Sequence, residues 1–239
     1  MSGSERYRTL DPARIIETAE RLEARIADRF PESSLRGVSA ELVALARDIS
    51  AEAERLKAPI WWVRLVIGAV FLSGAAIFLF VGTVLPIERI SGGENIVESV
   101  QGIEASLNTV ILAGIGLLAL IRTEERIKRK QVFKQLHGLR SLIHVIDMHQ
   151  LTKDPAALSA NFRPTEHSPP RMTNADDLAR YLDYSSEMLS ITGKLAALFA
   201  QAVNDKVVIE AVNDVEGLGS NLSRKIWQKI MMIAPGRAT

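Results

Sequence analysis

Two stretches without one charged side chain, Leu65 to Pro86 and Ala105 to Ile121, constrain this chain more than any other feature, because charge is dense almost everywhere else. The first holds 22 residues. A helix of that length rises about 33 Å, enough to cross a hydrocarbon core of about 30 Å. The second holds 17, at the short end of the spanning range, and Arg122 extends it by reaching back to the headgroups. Trp61 and Trp62 open the first stretch, where indole rings favour the membrane interface, and Pro59 lies where a helix start tolerates proline. The pattern predicts a transmembrane helical hairpin; the alternative is a buried apolar hairpin in a soluble protein.

Orientation follows from the flanking bases, because short segments rich in Lys and Arg stay in the cytoplasm. Arg122, Arg126, Lys128, Arg129, Lys130 and Lys134 follow the second stretch, and Arg55, Lys57 and Arg64 precede the first. The connection 87–104 holds one base, Arg89, against Glu88, Glu94, Glu98 and Glu104. Both termini are therefore expected in the cytoplasm, which makes the protein a multi-pass protein of the cell inner membrane. The connection, with a turn at Gly92-Gly93, is too short for a folded sensory domain. Sixty-four residues rich in charge precede the first span, so the N-terminus does not read as a cleavable signal.

The flanking segments carry helical spacing throughout. Asp11-Pro12 caps a helix with Ile15, Ala19, Leu22, Ile26 and Phe30 on one stripe, and a second helix starts near Ser39 with Val38, Leu42, Leu45, Ile49 and Leu56. Such narrow seams must bury against other helices, and the two are expected to form a hairpin bent at Pro31 to Gly37. Beyond the second span the helix is expected to continue through Val132, Leu136, Leu139, Ile143 and Ile146. Four prolines mark 153–173 as an irregular connector, and Thr173 with Asp176 resembles a capping box before a helix on Leu178, Leu182, Ser185, Met188, Thr192, Leu195, Phe199 and Ala202. A last helix carries Val208, Ala211, Val215, Leu218, Leu222, Ile226, Ile230 and Ile233. The expected fold is all-α: an N-terminal helical hairpin at 1–57, a two-span hairpin at 58–121, and a cytoplasmic helical bundle or coiled-coil-like region at 122–239.

Chemical sites are few. The chain has no cysteine, which excludes disulfides, thiolate catalysis and Cys-type zinc sites. His144 and Asp147 share a helix face and are weak metal candidates, better read as a pair or as solvated side chains; Asp183 and Glu187 add the only other hint of catalysis. GLGSNLSRK at 217–225 suggests a phosphate-binding turn, but the apolar register runs through it, so a helix hinge or close helix contact is preferred. TGKL at 192–195 is no P-loop, because Leu195 stands where Ser or Thr must bind magnesium and Met188 replaces the first glycine. MLSITGKLAALFAQAVN reads as a core helix rather than a third span, since Lys194 near its centre is costly in hydrocarbon. SRKIWQKIMMI reads as a final bundle helix, with membrane-surface or partner docking as the alternative. No cofactor is implied.

The basic cluster after the second span suits anionic lipid headgroups, and nucleic acid is the weaker reading because the cluster adjoins the membrane and has no aromatic but the nearby Phe133. Small residues lie on one face of each span, Ala69, Ser73 and Ala76 on the first and Ala105, Thr109, Ala113 and Gly116 on the second, with Asn108 the one strongly polar group and a possible pore or polar contact. The layout is similar to two-span magnesium channels and to the mitochondrial calcium uniporter in its paired spans and long cytoplasmic helices. The Gly-Met-Asn signature of the first and the acidic pore-mouth motif of the second are missing. The reading is a non-enzymatic anchored scaffold or signalling component, forming a homo-oligomer or binding a cytosolic protein; the alternative is a subunit of a small oligomeric ion channel or transporter.

Overall fold

The computed structural model describes residues 8–84, 96–169 and 171–233, with backbone only at 77–78, 80–84, 96–103, 105–106 and 121. Its elements are α1 (Pro12–Arg29), α2 (Ser34–Lys57), α3 (Trp61–Val84), α4 (Ile96–Leu151), α5 (Ala175–Ala202) and α6 (Lys206–Ile233), with a short 3-10 turn at Pro155–Leu158. There is no strand among the described residues.

The helix ends follow ordinary capping chemistry, with some shifts from expectation. The Asp11 carboxylate accepts from the Ala13 N–H at 3.0 Å, as the Asp-Pro pair predicts. α2 begins at Ser34, ahead of the expected Ser39, because the Ser33 hydroxyl accepts from the Leu35 N–H at 3.2 Å. Gly37 therefore lies inside α2 rather than in the bend. The cap of α5 is Asn174 rather than Thr173: its side chain accepts from Asp176 and Asp177 N–H at 2.8 and 3.3 Å. α4 already runs as helix from Ile96, so part of the expected connection is helical; Glu88, Arg89, Gly92, Gly93 and Glu94 lie outside the described residues. The proline-rich connector contains the 3-10 turn, which Asp154 caps and from which Pro155 is buried.

The chain divides into two compact units, 1–57 with 129–239, and 58–128. In the first, α5 is the centre, packing on α6, α1 and α2. The segments expected as separate domains at 1–57 and 122–239 thus share one core, since the α1 and α2 seams find their partner in α5. Ile15, Ala19, Leu22 and Ile26 are buried from α1; Val38, Leu42, Ile49 and Leu56 from α2; and Val132, Leu136, Leu139, Ile143 and Ile146 from α4. Phe30 meets Tyr181 and Tyr184 edge to face, with centroids 5.7 and 6.2 Å apart. Ion pairs stitch the helices at the rim: Arg25 with Glu187, Arg29 with Asp177 at 2.8 Å, and Arg47 with Glu20 at 2.6 Å. α5 is buried along most of its length, which fits a core helix.

The second unit holds α3 and the first half of α4. Both helices are long and apolar enough to cross a membrane by length and composition, and almost none of either apolar window is buried.

Candidate functional site

The two apolar helices present large side chains outward. Phe71 is 59% exposed and Leu72 74% on α3, with Val110 and Leu112 both 68% exposed on α4. In water each such side chain forgoes about 1.5–3 kcal/mol of burial, so the surface is suited to an apolar solvent. Trp61 and Trp62 are exposed at the start of α3. The small residues Ala69, Ser73, Ala76, Thr109, Ala113 and Gly116 are also exposed, and a Cβ at Gly116 would meet nothing within 4 Å. Among the described residues these small side chains are therefore not buried against one another; the Ala105 side chain lies outside the described residues. Asn108 is exposed on α4.

Next to this surface, the start of α3 is held by a carboxylate from α4. The Ile60 N–H donates to Glu124 Oε1 at 3.2 Å, while the Ile60 carbonyl accepts from the Val63 N–H at 3.1 Å in the first turn of α3. A carboxylate at this position faces the positive end of the helix dipole. Lys128, one turn on, pairs with Glu124 at 3.1 Å. Burial pushes the Glu124 carboxyl up, but the Lys128 ammonium, the Ile60 N–H and the Arg64 charge outweigh it and hold the group below the usual range.

The expected six-base cluster is not one solvated patch. Lys128 is engaged by Glu124, and its side chain is only 17% exposed. Arg129 is committed to the bundle, where its Nε and Nη2 donate to Asp205 Oδ2 at 2.9 and 2.6 Å. The other Asp205 oxygen accepts from the Val207 and Val208 N–H groups at 2.8 and 3.4 Å, capping α6. The Asp205 side chain is 9% exposed. Burial raises its carboxyl, and the Arg129 bond with the two backbone amides more than reverses this, leaving the group below its ordinary value. Arg122, Arg126, Lys130 and Lys134 remain exposed. Asp205 was absent from the sequence expectations although Asp immediately before an apolar helical stripe is an N-cap signal. Glu124 gave one local cue, the i, i+4 spacing to Lys128.

The weak metal candidates are not brought together with further ligands. Asp147 Oδ1 accepts from Gln150 Nε2 at 2.7 Å, His144 is exposed, and among the described residues no three His, Asp or Glu side chains gather as a metal-binding group. Gln150 in turn belongs to the end of α4: Lys229 Nζ donates to its carbonyl and side-chain oxygens at 3.0 and 2.8 Å. Burial lowers the Lys229 ammonium, and Asp154 and Asp147 partly offset this. SRKIWQKIMMI is thereby the end of a bundle helix, with Ile226 and Ile233 in the core and Trp227, Met231 and Met232 exposed. No protein-family model, no curated protein and no solved structure matches this chain.

Proposed function

We propose that the chain is a two-span membrane protein, both termini cytoplasmic, whose helical bundle acts as a non-enzymatic scaffold or signalling component. The observation that carries this reading is the contrast between a bundle with a closed core and two helices whose apolar side chains face outward. The spans anchor, and Arg122, Arg126, Lys130 and Lys134 supply the cytoplasmic bias and contact with anionic lipid. The bundle supplies surfaces for a cytosolic partner or for other copies of the chain.

The absence of cysteine makes topology directly testable with single introduced thiols. Ser91→Cys is expected to react with a membrane-impermeant maleimide from outside intact cells, and Ser168→Cys only after lysis. Labelling of Ser168→Cys from outside overturns the topology.

A pore is the second reading, favoured by the exposure of Asn108 and of the small-residue faces, since two spans build a pore only by assembly. Native mass in mild detergent, followed by ion flux from reconstituted vesicles, separates the two. A monomer or dimer without flux supports the scaffold; a ring-sized oligomer with selective flux replaces it with a channel.

A further inference from the structure

TGKL, which is no P-loop, and GLGSNLSRK, which suggests a phosphate-binding turn, come together in the fold. TGKL lies on α5 and GLGSNLSRK on α6, and the helices run side by side with Gly193 opposite Glu216, Leu189 opposite Gly219 and Ser186 opposite Ser223. A Cβ on Gly219 would lie 3.5 Å from the Leu189 carbonyl oxygen, so the backbones approach closely here. Along this seam runs a groove of about 530 Å³, within the size range of small-molecule sites.

Its lining is polar in an ordered way. Antiparallel register puts Lys194 and Glu216 at one end, Ser190 and Ser220 in the middle, and Arg224 and Trp227 at the other. Lys194 Nζ donates to Ser190 Oγ at 2.6 Å, which places the ammonium beside a serine of the groove. Arg25, Arg29, Arg47 and Arg129 are each tied to a carboxylate on another helix or helix cap. Among the described residues, Lys194 and Arg224 have no such ion pair, so the groove keeps two bases against the single acid Glu216. Trp227 is 52% exposed and offers a ring at the groove end.

We propose that this groove binds a nucleotide of nucleoside-monophosphate size, without hydrolysing it. The base stacks on Trp227 beside Arg224, the sugar hydroxyls meet the serines, and the phosphate is taken by Lys194 with Ser190. From Glu216 to Trp227 the helix rises about 16 Å, which suits an elongated ligand lying along the seam. Uncompensated bases supply attraction for phosphate, and indole stacking supplies preference for a planar ring.

The test is calorimetric titration of the full chain in mild detergent with adenosine monophosphate, ribose 5-phosphate and inorganic phosphate. Adenosine monophosphate is expected to bind with a dissociation constant at or below about 1 mM. Trp227→Leu is expected to weaken it about tenfold while leaving ribose 5-phosphate unchanged. Lys194→Met should weaken both phosphate esters. Both positions are exposed, and unchanged thermal unfolding of the variants verifies the fold. No binding in this range, equal affinity for adenosine monophosphate and ribose 5-phosphate, or binding indifferent to both substitutions overturns the proposal.

Discussion

α3 and α5 are both long helices rich in apolar residues, yet one exposes most of its described side chains and the other buries half of them. The difference is carried by the polar residues between the apolar ones. α5 has Asp176, Asp177, Arg180, Asp183, Glu187 and Lys194 along its edge, and two of these make ion pairs with α1. α3 has Arg64 in its first turn and no charge after it. A helix with a charged edge can settle between core and water; one without an edge has no side to offer to water. The comparison teaches that the placement of the few charges, together with the higher apolar content of α3, decides which helix can form an interface between core and water.

Paired truncations break this comparison most sharply. Phe199→Ala removes a fully buried ring from α5 and is expected to lower unfolding stability by about 3–5 kcal/mol. Phe71→Ala, at a ring 59% exposed on α3, is expected to change it by less than about 0.5 kcal/mol. Denaturant unfolding of the full chain in detergent, followed through helix content, measures both. Equal losses would mean that α3 is packed like a core helix.

The second contrast lies in charge. Asp205→Asn or Arg129→Met separates a pair whose carboxylate is largely buried, and a loss of about 1–3 kcal/mol is expected, since Arg129 stays partly solvated. Asp205 also gives the pair a pH signature. Its folded carboxyl is lowered from the ordinary value of 3.8, so its contribution is fully present above that value and is lost as pH falls through the lower folded value. Acid unfolding of Asp205→Asn should show a shallower slope in this window than the parent chain. An unchanged slope would remove Asp205 as the acid-sensitive clasp.

These contrasts also indicate what could be read without coordinates. The α4 stripe Val132, Leu136, Leu139, Ile143 and Ile146 was legible because burial on a helix repeats at local spacing, and every member is buried. The asymmetry of Arg129 was not, because its partner lies 76 residues away and an arginine in a basic run looks the same whether solvated or clasped. The small-residue faces were legible as patterns, but a pattern states what a face can pack against and not whether one chain provides it. At the α5–α6 seam, the unbroken apolar register correctly favoured a close helix contact over a loop, while the side-by-side placement of TGKL and GLGSNLSRK required the register between two helices.

Glycines sharpen the comparison further. At Gly219 a single Cβ would find ordinary contact with the Leu189 carbonyl and Ile143, so Gly219→Ala is expected to be tolerated, with Gly219→Leu costing about 1–3 kcal/mol by overpacking. Gly116 has open space around the corresponding position, and Gly116→Leu should leave unfolding unchanged in detergent. Loss of oligomers by Gly116→Leu, seen in native mass, would instead show that a neighbouring copy uses that face.

The smallest expected effects separate exposed bases, proposed to contact the bilayer, from Arg129, which is paired within the bundle. Arg126 is exposed, and a base close to an anionic surface contributes about 1 kcal/mol, or roughly fivefold in association. Arg126→Gln is therefore expected to reduce the anionic phospholipid that co-purifies with the chain, with no change in unfolding. Arg129→Gln should do the reverse, since its guanidinium is already occupied by Asp205: unfolding shifts and lipid stays. If the two substitutions deplete lipid equally and leave stability alone, the clasp carries no weight in solution and the basic run acts as one membrane-facing cluster.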